Sequence, residues 1–359
     1  MINVVLPCLL ALLISFVLTP TVRKLAFKIG AIDRPDCRKV HCKTMPRLGG
    51  LAVFLAFSAT VLLTQTLDSK LVGLLTGGLL IVFLGILDDT RGLPAKVKLA
   101  GQIAAAAAVI PFGIQVEFVT NPVDGHMLHL GIWGIPVTIF WIISVTNAVN
   151  LIDGLDGLAG GTSFIAALTM AAIIWQQDGT GMGVTLLALV LAASILGFLR
   201  YNFFPAKIFL GDTGSMFLGY ALGTLAVMGV AKTATAISVI VPMVILGIPL
   251  LDVLFAILRR YQSQRPIFQP DKEHLHHRLM ALGLSHRQTV LAIYAVNLIL
   301  GISAFLLTVL TTSQAALLLF ILAVVIIVTA NKIGVIGKVA PTGTSSSVSQ
   351  NLRQRSSKM

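Results

Sequence analysis

Long stretches without a charged residue dominate this sequence, and ten of them run for 17 to 44 residues. A helix needs about 17 to 25 apolar residues to cross a bilayer. Mean hydropathy is +0.93 and only 11% of residues are charged, which excludes a secreted disulfide scaffold, a disordered regulator and a coiled coil. The stretches are residues 1–22, 48–67, 71–87, 99–116, 125–152, 157–177, 179–199, 213–231, 233–251 and 288–331.

These stretches predict an all-α polytopic membrane protein with about eleven transmembrane helices. The last stretch is long enough for two helices and is interrupted at Thr311-Thr312-Ser313. Leu, Ile, Val and Ala fill the stretches without alternating with polar residues, which favours helices over a barrel. The first stretch lacks a basic start and a cleavage site, so it is interpreted as a retained helix. Residues 1–331 are predicted to form one domain, and the Ser-rich basic segment 332–359 a disordered tail.

The distribution of Lys and Arg predicts the orientation. Alternate connections on one side carry 24 of the 26 basic residues, and the other side carries only Lys70 and Lys232. The basic side is expected to be cytoplasmic, which places the N-terminus outside and the C-terminus inside. The net charge of +12 is then explained by topology and by attraction to anionic lipids and substrates, and nucleic acid is not expected as a partner.

Carboxylates are scarce, with 14 in the chain, and the predicted topology places ten of them at the cytoplasmic face. A carboxylate at the end of an apolar span is costly unless it is hydrated, paired or bound to metal. Their collection on one face predicts a single site, although Asp33 and Asp252 are equally well explained as structural residues. The ten are Asp33, Asp36, Asp88, Asp89, Asp153, Asp156, Asp212, Asp252, Asp271 and Glu273.

Several of these carboxylates stand in three recognisable sequence motifs. Asp88-Asp89 is a repelling pair that a divalent cation such as Mg²⁺ or Mn²⁺ would stabilise. Asn147, Asn150 and Asp153 recur every three residues and would share one face of a helix, with glycines beyond them. The run FLGDTGS over residues 209–215 places Asp212 at the start of a helix, where backbone amides can bind phosphate.

A fourth motif lies in the longest polar loop, where a helix would align Leu275, Leu279 and Leu282 along the membrane surface. His274, His277 and Arg278 would lie on a neighbouring face and can donate to phosphate oxygens. The first cytoplasmic loop adds Arg38, Lys39, Lys43, Thr44 and Arg47 before a Gly-Gly pair. Each motif also has a structural explanation, since glycine turns can be packing devices and basic loops can reflect topology alone.

Together the four motifs strongly resemble the polyprenyl-phosphate N-acetylhexosamine-1-phosphate transferases, glycosyltransferase family 4. The resemblance covers nearly the whole chain and includes PRLGG at residues 46–50. HLHHR stands where the peptidoglycan branch has three consecutive histidines, and this resembles the bacterial branch that uses UDP-N-acetylglucosamine. The resemblance implies transfer of N-acetylglucosamine-1-phosphate from that nucleotide to undecaprenyl phosphate. UMP is released, and the lipid-linked product starts a cell-envelope polysaccharide such as O-antigen or teichoic acid.

The resemblance also implies a setting and partners. The protein is expected in the bacterial cytoplasmic membrane with its active site facing the cytoplasm and in contact with membrane lipid. A homodimer is an expected form, and the sequence leaves the oligomeric state open. The cofactor is expected to be Mg²⁺, with Mn²⁺ as a substitute. Direct attack by the lipid phosphate is favoured over a covalent aspartyl intermediate, because a phosphate monoester is largely dianionic at neutral pH.

Roles for individual residues follow from the resemblance only. Asp88, Asp89, Asp212, His274, His276 and His277 are the expected catalytic residues. The expected substrate-binding residues are Lys43, Thr44, Asn147, Asn150, Asp153, Asp156, Phe209 and Arg278. The metal is expected at Asp212, completed by Asn150 or the Asp88-Asp89 pair, of which Asp89 is the preferred ligand.

Two alternatives stay open at this level. The same chemistry with another UDP-sugar, such as UDP-MurNAc-pentapeptide or UDP-N-acetylgalactosamine, would need the same motifs. A cation-coupled transporter would instead place its carboxylates near the middle of the membrane, in two matching halves with broken helices. The carboxylates of this chain are expected at the ends of spans on one face, which favours the transferase.

Overall fold

The computed structural model describes residues 2–33, 44–120, 127–178, 182–229, 240–262 and 274–334. Lys43 and the tail beyond residue 334 therefore lie outside the described residues. The helices are α1 (Ile2–Ile29), α2 (Gly49–Thr64), α3 (Ser69–Arg91), α4 (Ala95–Ala107), α5 (Gly134–Leu151), α6 (Leu158–Asp178), α7 (Met182–Asn202), α8 (Gly211–Met228), α9 (Ile240–Ile245), α10 (Gly247–Gln262), α11 (Leu275–Ala281), α12 (His286–Leu307) and α13 (Thr312–Lys332).

Two short antiparallel strand pairs accompany the helices within the described ranges, so the prediction of an all-α chain was incomplete. Strand β1 (Ile32–Asp33) pairs with β2 (Met45–Pro46), and β3 (Phe118–Thr120) pairs with β4 (Met127–His129). Because β4 occupies the start of the apolar stretch 125–152, α5 begins only at Gly134.

The prediction of a multi-pass membrane protein is confirmed, since eight of the described helical segments are long and apolar enough to cross a membrane. The count of eleven and the orientation stay predictions. Helix α2 has only 16 residues, and the stretch 233–251 corresponds in part to the short α9 and to α10. The eight segments are Val4–Ile29, Ser69–Arg91, Ala95–Phe112, Gly131–Leu151, Leu158–Gln177, Gly183–Asn202, His286–Leu307 and Thr312–Lys332.

The predicted interruption at Thr311 is confirmed. Helix α12 ends at Leu307 and α13 begins at Thr312. The backbone N–H of Thr311 donates to the side-chain oxygen of Gln314 at 3.1 Å. This bond satisfies a donor that the first turn of a helix leaves without a partner, which fixes the start of α13.

Helix α8 is the centre of the fold and packs against α2, α3 and α5. Every residue from Thr213 to Met228 is buried. A Cβ atom on Gly50 would overlap the backbone of Gly214, and one on Gly85 would overlap the backbone of Thr213. The missing side chains let the helix backbones approach closely, as small residues do between membrane helices. This close packing fixes the start of α8 relative to the end of α3.

Candidate active site

Asp212, in the first turn of α8, is surrounded by donors from three other parts of the chain. Its Oδ1 accepts from Lys98 Nζ at 2.7 Å and from Asn150 Nδ2 at 2.6 Å, and its Oδ2 accepts from Arg47 Nη2 at 2.7 Å. Asn150 lies in the last turn of α5, Lys98 lies in the first turn of α4 and Arg47 lies just before α2. The ends of four helices therefore meet at one carboxylate.

Asp89 joins α3 to the start of α8. Its Oδ1 accepts from Arg47 Nε at 3.0 Å and from the backbone N–H of Asp212 at 2.9 Å. Its Oδ2 accepts from the backbone N–H of Thr213 at 2.9 Å and from the hydroxyl at 2.7 Å. The side chain is completely buried. Asp89 thus acts as an N-terminal cap of α8 supplied by another helix, in a place favoured by the helix dipole.

Glycine at position 211 makes this cap possible. Gly211 has a φ of +75°, and a Cβ atom there would lie 2.6 Å from Asp89 Oδ2. A larger residue would face both an unfavourable backbone conformation and a clash with the carboxylate.

Asp88, its neighbour, faces the cation Lys98. Its Oδ2 lies 2.9 Å from Lys98 Nζ, and its Oδ1 accepts from the backbone N–H of Leu93 at 2.8 Å. Lys98 therefore bridges Asp88 and Asp212, and it also donates to Asn150 Oδ1 at 3.2 Å. Both carboxylates and the ammonium are largely buried, so these ion pairs are less screened than pairs on the surface.

Asp153 lies in the turn between α5 and α6, beyond the end of the helix that carries Asn150. No residue that the structure describes donates a hydrogen bond to its carboxylate. Desolvation, followed by the nearby negative charge of Asp212, raises the pKa of Asp153 to about 8. The site therefore contains a carboxylate whose negative charge is poorly compensated.

The sequence of this chain matches a known protein family. The model of the family Glycosyl transferase family 4 matches residues 71–230. A Bacillus subtilis protein named "Probable undecaprenyl-phosphate N-acetylglucosaminyl 1-phosphate transferase" is 46% identical over 308 residues, which are 86% of each chain. The chain belongs to glycosyl transferase family 4.

More distant relatives of this glycosyl transferase family 4 member extend the comparison. A Mycobacterium tuberculosis protein named "Decaprenyl-phosphate N-acetylglucosaminephosphotransferase" is 38% identical over 83% of this chain and 80% of its own. A Yersinia pestis protein named "Undecaprenyl-phosphate alpha-N-acetylglucosaminyl 1-phosphate transferase" is 30% identical over 76% of this chain and 75% of its own. The matches cover most of the length of all three relatives.

In this family member, several predicted site residues lie beside the charged cluster instead of within it. Asn147 exchanges hydrogen bonds with Gln102, at 2.8 and 3.3 Å. Asp156 accepts from the backbone N–H of Ala206 at 2.9 Å, which ties the turn before α6 to the loop before α8. Both are partnered by other protein groups, and their predicted roles in binding substrate stay predictions.

Phe209 and Thr44 belong to the loops around the cluster. The backbone of Phe209 accepts from the N–H of Gly49 and donates to the carbonyl of Pro46, at 2.9 and 2.8 Å. These bonds hold the PRLGG segment against the start of α8 and so place Arg47. Thr44 is exposed just before β2. Stacking of Phe209 on a nucleotide base is a prediction that the structure leaves untested.

The helix considered for the HLHHR segment is present in part: His274 is the N-cap of α11, which spans Leu275–Ala281, and Leu282 lies just beyond its end. His274 and His276 are buried, whereas His277 is exposed and Arg278 is half-buried. Burial, followed by repulsion from His277, lowers the pKa of His276 to about 3. His276 is therefore neutral at physiological pH, and a cationic role in this segment is open only to its other members.

Arg47 and Lys98 are central to the site, yet neither is among the predicted catalytic, substrate-binding or metal-binding residues, although Arg47 was noted in the first cytoplasmic loop. Both lie in segments whose basic residues the positive-inside pattern already explains. A local signal does exist for each one. Arg47 stands in PRLGG, two residues before Gly49, and Lys98 lies nine residues after Asp89, in the first turn of α4.

The donor set can be tested against the expected Mg²⁺. Among the described residues, no three His, Cys, Asp or Glu side chains form a ready metal cluster. The donor chemistry nevertheless fits a divalent cation, because the carboxyl groups of Asp88, Asp89, Asp153 and Asp212 share a site in which Arg47 and Lys98 are the only cations among the described residues. The oxygens of Asp212, Asp153 and Asn150 are of the kind that Mg²⁺ prefers. Asp89 fits less well, since four donors already occupy its oxygens.

Proposed function

We propose that this protein transfers N-acetylglucosamine-1-phosphate from UDP-N-acetylglucosamine to undecaprenyl phosphate and releases UMP. The observation that carries the proposal is the cluster around Asp212, where four carboxyl groups and two half-buried cations, Arg47 and Lys98, meet at the ends of membrane helices. The names of the relatives in Bacillus subtilis and Yersinia pestis support both the lipid acceptor and the sugar. A site at helix ends suits a reaction between a lipid phosphate and a water-soluble nucleotide.

The main barrier to this reaction is repulsion between two anionic phosphates, and Arg47 and Lys98 can reduce it with their positive charge. Arg47 and Lys98 are each held by two carboxylates, so their charged groups are fixed before substrate binds. Preorganised cations stabilise developing phosphate charge without reorganising during the reaction. When Mg²⁺ is bound, at Asp212 with Asp153 and Asn150, it supplies further positive charge for the pyrophosphate.

The hydrogen bonding of Asp88 and Asp89, the two carboxylates of α3, supports a mechanism in which the lipid phosphate attacks directly. Asp89 is fully buried and its oxygens already accept four hydrogen bonds, so it is badly placed to become a nucleophile. Asp88 is paired with Lys98 and with a backbone amide. A dianionic phosphate needs no general base. We assign Asp88 to orienting Lys98 and Asp89 to holding the start of α8.

The proposed setting is the cytoplasmic membrane of a bacterium, with the cluster facing the cytoplasm, where UDP-sugars are made. The high share of basic residues on this side supports that orientation. A homodimer stays a prediction. No observation favours a transporter, since the described carboxylates of the cluster lie at the ends of α3, α5 and α8 on one side.

The proposal predicts that purified protein releases UMP only when UDP-N-acetylglucosamine, undecaprenyl phosphate and Mg²⁺ are all present. A panel that also contains UDP-N-acetylgalactosamine and UDP-MurNAc-pentapeptide tests the sugar. UMP release from the pentapeptide substrate alone would overturn the sugar assignment, and no release from any member would overturn the reaction. With lipid omitted, labelled UMP should not exchange into UDP-N-acetylglucosamine, because direct attack needs both substrates bound together.

The orientation predicts a labelling pattern in intact cells. In a background without native cysteines, a cysteine replacing Thr66, between α2 and α3, should react with an impermeant thiol reagent. A cysteine replacing Arg287, at the start of α12, should react only after the membrane is permeabilised. Both positions are exposed, so access to the side chain is comparable. The reverse pattern would place the cluster outside the cell.

A further inference from the structure

Asp252 is a buried carboxylate that the charged cluster does not include. It is the only acidic residue of α10 and is 3% exposed. Its Oδ2 accepts from His274 Nδ1 at 2.8 Å, and its Oδ1 accepts from the backbone N–H of Leu275 at 2.9 Å. Both oxygens are thus bonded to the first residues of the HLHHR segment. A buried carboxylate in an apolar helix is costly, and these two bonds offset that cost.

The two bonds act on the start of α11. His274 occupies the N-cap position, but its side chain makes no capping hydrogen bond with its own helix. Asp252 accepts the N–H of Leu275 in its place, so the cap comes from α10. A helix of seven residues is too short to be stable alone and depends on such tertiary contacts.

Contacts continue from this pair towards the charged cluster. The rings of His274 and His276 are parallel, with centroids 6.0 Å apart. Nε2 of His276 lies against Gly154, where a Cβ atom would be only 2.5 Å away. Gly154 directly follows Asp153, the poorly compensated carboxylate of the cluster. Asp252 is therefore connected to the cluster through His274 and His276.

We propose that Asp252 is a positioning residue for the sugar-nucleotide side of the site. Its carboxylate fixes the proton of His274 on Nδ1 and caps α11, and so sets where His277 and Arg278 stand relative to Asp153. The inference rests on the proposed function and on the predicted roles of His277 in catalysis and of Arg278 in binding substrate. It adds to that function a residue that touches neither substrate.

The test begins with Asp252→Asn. Asparagine can still accept from Leu275, but it turns an N–H group towards His274 and removes the charge. We expect the KM for UDP-N-acetylglucosamine to rise by roughly 10- to 100-fold, as for other residues that orient a binding group. The KM for undecaprenyl phosphate should stay unchanged. Asn297→Leu is the matched control, because Asn297 is buried on α12 and bonds only to the carbonyl of Thr162 among the described residues.

A double-mutant cycle with His274→Ala separates positioning from general stability. If Asp252 acts through His274, the double variant should be no worse than the more impaired single variant. Additive losses would overturn the inference. The control Asn297→Leu should lower the melting temperature and leave the KM for the nucleotide unchanged, because Asn297 has only a structural contact among the described residues. The same result for Asp252→Asn would also overturn the inference.

A second pair of variants keeps Asp252 intact in case its replacement prevents folding. His274→Asn retains a donor close to Asp252, whereas His274→Leu fills similar space without one. Positioning predicts that the asparagine variant retains more activity, and equal or better activity of the leucine variant would overturn it. Calorimetry on the same variants measures the affinity for UDP-N-acetylglucosamine independently of turnover, and it should rank the asparagine variant above the leucine variant. Failure of the wild type to release UMP would count against the proposed function alone.

Discussion

Replacing Asp212 with asparagine is expected to lower the rate of UMP release by roughly 10³-fold, the upper end of the range reached when a preorganised electrostatic group is lost. The carboxylate accepts from Lys98, Asn150 and Arg47. An asparagine must turn its NH₂ group towards at least one of these donors. It also removes the charge that the proposed Mg²⁺ site requires. The measurement is kcat with purified protein in detergent.

Two controls accompany this prediction. Asp252→Asn should lose far less kcat than Asp212→Asn, because Asp252 bonds to α11 and lies outside the charged cluster. Comparable losses of kcat would mean that the assignment of Asp212 to the reacting site and of Asp252 to a positioning role is wrong. Excess chelator should abolish activity in the wild type, and Mg²⁺ or Mn²⁺ should restore it. Full activity in chelator would contradict the metal site.

Replacing Lys98 with methionine is expected to lower kcat by roughly 10²- to 10³-fold. The variant keeps the length of the side chain but removes the charge that bridges Asp88 and Asp212. Arg47 would then be the only described cation beside the four carboxyl groups of the cluster. Lys98→Arg should recover part of the rate, since it retains the charge but changes the geometry of the donors.

Lys96 provides the matched control for Lys98. It lies two residues earlier in the same helix, carries the same charge and is exposed. Lys96→Met should leave kcat and both KM values close to those of the wild type. If the two variants lost the same activity, the effect would come from the basic surface as a whole, and the bridging role of Lys98 would be wrong.

Much of the site was predictable from the sequence because a carboxylate at the end of an apolar stretch is costly unless it has a partner or a function. Asp88, Asp89 and Asp212 stand at the ends of apolar stretches, where an unpaired charge is costly, and they do meet in the structure. Asn150 was predicted to share a helical face with Asp153. The structure corrects this point, because α5 ends at Leu151 and Asp153 approaches Asp212 from a turn.

The partners of these carboxylates were not predictable from local pattern. Arg47 and Lys98 look like any other basic loop residue, since topology and chemistry both favour Lys and Arg on that side. Asp89 resembled a metal ligand in the sequence. Its four hydrogen bonds depend on the position of the α8 backbone, which is set by close helix contacts at Gly50 and Gly85. Such contacts join distant parts of the chain and leave no periodic signal.

The cap that Asp89 provides has a consequence for how the protein is made. Thr213 follows Asp89 by 124 residues, while Arg47 precedes it by 42. At a translation rate of about 5 to 20 residues per second, the ribosome needs roughly 6 to 25 s to reach Thr213 after Asp89. During that interval Arg47 is the only one of its three partners already synthesised. Of the three groups that bond to Asp89 in the folded protein, Arg47 is therefore the one that can compensate its charge during synthesis, and the helix cap forms only after α8 has been made.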